Sequence, residues 1–163
     1  MIDKIILVAD SSPLIALAII DQLALLPQLC SRIIVPNAVW DEVTIQGRGL
    51  PGAYEVSQAT WLEIQTPEPW IVKPLNILVD KGEAEAIALT YRLPECTLLL
   101  DDARARRVAE QLKLKRLGTV GLLRRAKLAN LIDKLKPHLE TLQQRGIYIR
   151  QKLIDAVLKD VGE

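Results

Sequence analysis

Two short apolar runs, each followed at once by aspartate, constrain the fold of this chain more than any other feature. The first is Ile5–Ala9, which precedes Asp10, and the second is 97–100, which precedes Asp101 and Asp102. Continuous apolar runs of this length are typical of strands buried on both faces, as in a parallel sheet. Further strands are expected at 33–35, at the sheet edge at 61–64, and at 115–117.

Segments with helical spacing of apolar residues lie between these runs. Ser12 is expected to cap a helix that begins at Pro13, because proline is favoured at the first helical position. The helix over 83–92 is expected to bury a stripe that ends at Tyr91. Other helices are expected from Pro13 through Leu29, over 37–46 and 103–112, and after Gly118 and Thr119. This alternation predicts an α/β fold, a three-layer α/β/α sandwich around a central, mostly parallel sheet.

Residues 131–163 are expected to form a C-terminal helical extension to a main domain of residues 1–130. The extension carries an apolar stripe of helical spacing, composed of Ile132, Leu135, Leu139 and Leu142. Such a stripe must be covered. It either packs on the domain or forms the surface of a homodimer.

The net charge of +1 conceals an uneven distribution. Residues 104–127 contain nine basic residues and one acid, a net charge of +8, while the remainder contains 12 basic and 19 acidic residues, a net charge of −7. Arg104, Arg106 and Arg107 begin this basic segment and could hold an RNA backbone, since phosphate contacts position a nucleic acid without reading its sequence. A solvated amphipathic helix and a docking site for an acidic segment of a partner protein are the alternatives.

Residue counts exclude several chemistries. His138 is the only histidine, so zinc sites with two or more histidines cannot form within one chain. Cys30 and Cys96 lie in apolar settings typical of buried thiols in a reducing compartment. We see no signal peptide or membrane-spanning run and expect a cytoplasmic protein. With no Phe, three Trp and three Tyr, the chain is a poor candidate for recognition of single strands by stacked bases.

The acids at the two strand ends are expected to lie close together. Ligands of open parallel sheets bind beyond the carboxyl ends of the strands, where Asp10, Asp101 and Asp102 fall. Each aspartate alone is better explained as a helix cap, but acids at two strand ends together favour a site. Two helices offer further acids, with Glu42 beside the apolar face of one and Glu83 and Glu85 flanking the apolar stripe of the other, although acids near a helix N-terminus are also favourable in themselves.

A cluster of three or four carboxylates repels itself unless a cation is present. Oxygen ligands select Mg²⁺ or Mn²⁺ rather than zinc, and Mg²⁺ retains waters that can act on a phosphate. The expected chemistry is therefore metal-assisted attack of water on a phosphodiester, which requires no histidine.

Five motifs in this order resemble the PIN-domain family, typified by VapC-type toxin ribonucleases. Gly-Glu-x-Glu-Ala and Leu-Asp-Asp-x-x-Ala-Arg narrow the resemblance to one PIN-like branch. The matching stretches span roughly residues 5–127 and leave the C-terminal helices uncovered. They are 8–15, 35–43, 82–89, 98–106 and 118–123.

The resemblance implies a set of acids with catalytic roles: Asp10, Glu42, Glu83, Asp101 and Asp102. Of these, Asp10, Glu83 and one or both of Asp101 and Asp102 are implied as ligands of Mg²⁺ or Mn²⁺. Glu85 is the alternative to Glu83, and Ser12 is implied as a polar partner near the metal or phosphate. The resemblance also suggests homodimers.

We therefore expect a Mg²⁺- or Mn²⁺-dependent ribonuclease that acts on RNA, the toxin of a type II toxin–antitoxin pair with a small antitoxin protein as its partner. The alternative is a non-catalytic PIN-like binding or regulatory module, against which the full set of acids argues. A phosphate-accepting receiver domain is disfavoured, because the gap between Asp10 and the next strand-end acid is too long.

Overall fold

A five-stranded parallel sheet forms the centre of the computed structural model, which describes residues 3–163. The strand order is β3-β2-β1-β4-β5, so the first strand lies in the middle and every pairing is parallel. The strands are Ile5–Ala9 (β1), Cys30–Pro36 (β2), Leu62–Gln65 (β3), Cys96–Leu99 (β4) and Arg116–Leu117 (β5). All five expected strands are confirmed, with β3 at one edge.

Helices cover both faces of the sheet and confirm the three-layer α/β/α fold. They are Ser11–Ile19 (α1), Leu25–Leu29 (α2), Asn37–Asp41 (α3), Ala53–Gln58 (α4), Pro69–Leu75 (α5), Lys81–Arg92 (α6), Ala103–Gln111 (α7), Thr119–Leu128 (α8), Lys136–Gln144 (α9) and Gln151–Asp160 (α10). A π-helical turn, Glu42–Gln46, continues α3 without a break. Within residues 3–163, no helix is both long enough and apolar enough to pass through a lipid bilayer.

The apolar run of β1 is explained by a core layer on each side. Val8 pairs with Ile34 of β2 and with Leu98 of β4. Successive side chains of a strand point to opposite faces. Accordingly, Leu7 and Ala9 belong to a first core layer with α1, α2 and α8, whereas Val8 belongs to a second core layer with α5, α6 and α7.

The C-terminal helices pack into the first core layer of the same chain. The expected stripe, Ile132, Leu135, Leu139 and Leu142, is buried there together with Ile154 and Val157 of α10. Gly146, with φ +88°, makes the turn between α9 and α10. The layer that contains Leu7 and Ala9 is therefore completed by the last two helices.

Several local predictions are wrong. Helix α1 begins at Ser11, with Asp10 rather than Ser12 at its N-cap position, so proline occupies its third residue. Tyr91 is exposed rather than buried. Helices α4 and α5 were not expected, because six or seven residues are too few to establish a helical period. Gly52 and Pro69, at the starts of these helices, are also residues typical of turns.

Candidate functional site

Asp10 lies at the carboxyl end of the central strand β1, where the sequence predicts a site. Its backbone N–H donates to the carbonyl of Leu99 at 3.1 Å, which continues the pairing of β1 with β4. The side chain is only 3% exposed, and within residues 3–163 its Oδ1 atom has no hydrogen-bond partner. A buried carboxylate oxygen without a partner is costly, so this atom requires a ligand or a proton.

Glu42 approaches Asp10 from the first residue of the π-helical turn. The hydroxyl of Ser11 donates to Glu42 Oε2 at 3.0 Å and fixes the carboxylate beside α1. Gly82 lies against both acids. A Cβ atom at this position would stand 3.1 Å from Glu42 Oε2 and 3.6 Å from Asp10 Oδ1. The absence of a side chain at residue 82 therefore leaves room between the two carboxylates.

Glu83 enters the site from the first turn of α6, where it forms a reciprocal capping box with Asp80. The N–H of Glu83 donates to Asp80 Oδ1 at 2.8 Å, and the N–H of Asp80 donates to Glu83 Oε1 at 3.1 Å. The pKa of Glu83 is raised to about 7, chiefly by burial; the hydrogen bond from the Asp80 backbone lowers it, and the charges of Asp80 and Asp102 contribute to the rise.

The pKa of Asp10 reflects its burial first and the neighbouring acids second. It is raised from 3.8 to about 8, chiefly by burial, whereas the hydrogen bond from the Ser11 backbone lowers it. The negative charges of Glu83, Asp80 and Glu42 add to the rise. We call Asp10, Glu42, Asp80, Glu83 and Asp102 the acidic cluster.

An open groove of about 340 Å³ leads to the acidic cluster. Its lining combines the acids Asp80, Glu83 and Asp102 with the apolar residues Ile77 and Leu78. Arg104 stands at the groove and is exposed, and within residues 3–163 it forms no ion pair. The groove thus combines carboxylates with one cation that is free to bind an anion.

The structure distinguishes the two members of each pair of acids, Glu83 and Glu85 or Asp101 and Asp102, between which the sequence did not decide. Glu85 is turned away from Asp10, and its Oε1 accepts the backbone N–H of Ala38 at 3.0 Å. Asp101 accepts the N–H of Thr119 at 2.8 Å and the hydroxyl of Thr119 at 2.5 Å, one bond to each carboxylate oxygen. Glu83 and Asp102 line the groove, although Asp102 Oδ2 also caps α7 by accepting the N–H of Ala105 at 2.9 Å. Glu85 and Asp101 accept N–H groups of α3 and α8 and do not line this groove.

The remaining expected site residues are dispersed. Ser12 is exposed on α1, and its neighbour Ser11 makes the contact with Glu42. Arg106 Nη1 donates to the carbonyl of Leu100 at 2.7 Å and so ties α7 to the end of β4. Arg107 is exposed on α7.

Sequence reasoning missed Asp80 and Ser11. The spacing Asp80-x-x-Glu83 is the pattern of a capping box and places Asp80 at the start of α6, although the expected helix began only at Glu83. Ser11 was missed because the helix start was expected two residues further along the chain. Both signals, the capping-box spacing before α6 and the start of α1 directly after Asp10, are present in the sequence alone.

The acidic cluster suits a divalent cation that is bound by few carboxylates and completes its coordination with waters and phosphates. Within residues 3–163, no three Asp, Glu, His or Cys side chains form a ready-made metal cage. Mg²⁺ does not need one, because it is commonly bound by one or two carboxylates together with waters and substrate phosphates. The unpartnered Oδ1 of Asp10, with Glu42 and Glu83 beside it, supplies oxygen donors of the required kind.

The fold and the site together define an α/β protein with a carboxylate cluster at the carboxyl edge of a parallel sheet. The family model of a PIN domain matches residues 6–163, and the chain belongs to the PIN-domain family. The match includes the C-terminal helices that the sequence motifs did not cover. A search of curated proteins found no match to the chain. PIN domains are generally nucleases that use divalent metal ions, so family membership suggests nuclease activity and nucleic-acid binding.

Proposed function

We propose that this protein is a Mg²⁺- or Mn²⁺-dependent endoribonuclease that hydrolyses RNA phosphodiesters. The observation that carries the proposal is the buried, unpartnered Oδ1 of Asp10, surrounded by the charges of Glu42, Asp80 and Glu83. A bound cation would supply the missing partner and offset the repulsion among the carboxylates.

In this proposal Asp10 would hold the ion directly, Glu42 and Glu83 would bind it directly or through its waters, and Asp102 would stand at the edge of the groove. When bound, a divalent ion polarises phosphoryl oxygens and lowers the pKa of a coordinated water. Ser11 positions Glu42 through the 3.0 Å hydrogen bond, and Gly82 leaves the space that the ligands need.

Arg104 is the residue that we expect to bind the substrate phosphate. It lines the same groove as Glu83 and Asp102 and has no carboxylate partner in the described chain. A guanidinium matches the geometry of phosphate with two parallel hydrogen bonds. Arg107 follows on the same helix and would contact another phosphate of the RNA backbone. Arg106, which was expected to make such a contact, already binds the carbonyl of Leu100.

The test is hydrolysis of labelled single-stranded RNA by purified protein in Mg²⁺ or Mn²⁺, with EDTA and labelled DNA as parallel reactions. We expect ion-dependent cleavage of RNA that Asp10→Asn loses. Glu110→Gln is the matched control, because Glu110 is an exposed acid on α7 outside the acidic cluster. Equal cleavage by the wild type and Asp10→Asn, or cleavage by neither, would reject the proposal.

The wider biological role rests on the resemblance to VapC-type toxins. We propose a toxin of a type II pair that acts in the cytoplasm as a homodimer and is neutralised by a small antitoxin. The two buried free cysteines, Cys30 and Cys96, suit a reducing compartment. Expression of the wild type is expected to arrest growth, whereas Asp10→Asn at equal abundance is not, and sedimentation reports the oligomeric state.

One observation favours the alternative of a non-catalytic PIN-like module. Asp101 is one of the two aspartates that the resemblance implies as the fourth acid, and both of its carboxylate oxygens accept hydrogen bonds from Thr119. For a binding module, the wild type and the Asp10→Asn variant would bind RNA equally well and neither would cleave it, so the reactions above separate the two proposals.

A further inference from the structure

A second groove, of about 570 Å³, lies at the same edge of the sheet on the far side of the start of α6. It runs between α5, the end of β3 and α6. Its volume falls within the range of small-ligand pockets. Its lining is largely apolar, with Pro69, Trp70 and Val72 on one side and Lys73, Lys81 and Glu85 as its charged groups.

Trp70 is an exposed aromatic side chain held in place by hydrogen bonding. It is 63% exposed, whereas Trp40 and Trp61 are partly buried against the first core layer. Its indole N–H donates to Glu68, and the carboxylate of Glu68 also pairs with Arg92 at 3.1 Å. The ring is therefore tethered to α6 at its polar edge while its apolar face is open. An aromatic face held in this way can stack on any nucleobase.

The charge of this groove suits a phosphodiester strand. Lys73 and Lys81 are exposed, and neither forms an ion pair within residues 3–163. Glu85 is the acid in this groove, and its Oε1 accepts a hydrogen bond from the N–H of Ala38. Two free ammonium groups beside an aromatic face are the elements that single-strand binding sites combine.

The two grooves meet at the first turn of α6. Asp80 lines the groove of the acidic cluster and Lys81 lines the second groove. Because Asp80 and Lys81 are consecutive residues, the two grooves lie next to each other at the start of α6.

We propose that the second groove is a nucleotide subsite of the RNA strand, in which a base next to the cleaved phosphodiester stacks on Trp70 while Lys73 and Lys81 contact the neighbouring phosphates. This inference rests on the proposed ribonuclease function and adds the residues that recognise the substrate strand. It revises the sequence-based expectation that the chain is a poor candidate for recognition of single strands by stacked bases. One fixed, exposed ring is sufficient for a single base.

The test measures the affinity of a fluorescein-labelled single-stranded RNA of 12 nucleotides by anisotropy, in an Asp10→Asn background so that the RNA stays intact. We expect Trp70→Ala to weaken binding about 5- to 20-fold. Trp70→Phe should stay within about threefold of the background, because the ring face is kept. Tyr148→Ala is the matched control, since Tyr148 is an exposed aromatic outside both grooves.

A structural role for Trp70 is excluded by two further measurements. An RNA that lacks the stacked base should bind the background protein and Trp70→Ala equally, and this RNA is found by placing one abasic residue at each position in turn. Lys73→Ala and Lys81→Ala should each lower the slope of log affinity against log salt by about 0.7.

The outcomes for the subsite and for the nuclease are distinct. If the wild type cleaves RNA but Trp70→Ala binds RNA as tightly as Tyr148→Ala, the subsite is overturned and the nuclease stands. The subsite is likewise overturned if every abasic RNA shows the full effect of Trp70→Ala, and the groove then suits a protein partner. If the chain does not bind RNA at all, both proposals fall.

Discussion

Asp10 and Asp101 occupy equivalent places in the sequence, but their carboxylates differ in hydrogen bonding. Each follows a buried strand, and β1 and β4 are neighbours in the sheet. Asp101 has a hydrogen bond to each carboxylate oxygen from Thr119, whereas Asp10 Oδ1 has no partner in the described chain. Position at a strand end therefore brings an acid to the right edge, but hydrogen bonding decides whether it supports a helix or remains available to a ligand.

The sharpest way to break this comparison is to make the same substitution at both positions. Asp10→Ala is expected to lower RNA cleavage by about 10²- to 10³-fold, the effect of removing an electrostatic group at a reaction centre. Asp101→Ala should leave cleavage within about fivefold of the wild type, measured at a temperature where both proteins are folded. Similar losses of activity in the two variants would contradict the distinction.

The stabilities of the same two variants should change in opposite directions. In EDTA at pH 8, Asp10→Ala removes a buried charge without a partner and is expected to raise the free energy of unfolding on the order of 2 kcal/mol. Asp101→Ala leaves the N–H and the hydroxyl of buried Thr119 unpaired and should lower it by about 1–3 kcal/mol. Urea unfolding checks both signs, and a loss of stability in both variants would contradict the account of Asp10.

The pH dependence of stability sharpens the account of Asp10. Its pKa is raised from 3.8 to about 8, so the folded protein holds a proton that the unfolded chain releases. The resulting stability is fully present below pH 3.8 and is lost as the pH rises through 8, and Glu83, with a pKa raised to about 7, acts in the same direction. In EDTA, the unfolding free energy of the wild type should therefore fall from pH 5 to pH 8 more steeply than that of Asp10→Asn.

Mg²⁺ provides the control for this pH dependence. An ion that binds only the folded protein stabilises it by mass action, and the metal-bound carboxylates no longer need a proton. Saturating Mg²⁺ should restore stability at pH 8 in the wild type and have little effect on Asp10→Asn. Parallel pH profiles in EDTA for both proteins would show that Asp10 does not titrate as described.

Gly82→Ala tests the space between Asp10 and Glu42. In a helix, alanine is favoured over glycine by about 1 kcal/mol. Here the added methyl group would lie 3.1 Å from Glu42 Oε2 and 3.6 Å from Asp10 Oδ1. We expect Mn²⁺ binding, measured by calorimetry, to weaken about tenfold while helix stability is retained. Unchanged Mn²⁺ affinity would show that the ion does not lie between these carboxylates.

The smallest effect is expected from Ser11→Ala. This change removes one hydrogen bond to Glu42 and should cost about 0.5–1.5 kcal/mol of stability or of ion binding. Ser12→Ala is its matched control on the next residue, which is exposed and should be near neutral in the same Mn²⁺ titration. A larger effect at Ser12 than at Ser11 would restore the sequence-based interpretation.

The sheet could be predicted from the sequence because strands buried on both faces need continuous apolar runs, as β1 and β4 show. The choice between Glu83 and Glu85 could not be predicted. Two residues apart on a helix, they point to different sides, and only the packing of α6 decides which side faces Asp10. Asp80 was missed for a different reason: capping residues lie outside the periodic pattern that identifies a helix, although its capping-box spacing with Glu83 is present in the sequence. The roles of all these acids in catalysis stay predictions.

The placement of the acids has a consequence for protein synthesis. The acidic cluster draws on residues 10, 42, 80, 83 and 102, and β4 must pair with β1 before Asp102 can stand beside Glu83. The layer that contains Leu7 and Ala9 is completed by α9 and α10, which follow every one of these acids in the chain. A growing chain that lacks these two helices therefore holds acids that it cannot yet bring together, and the proposed nuclease arises only after both helices have been synthesised.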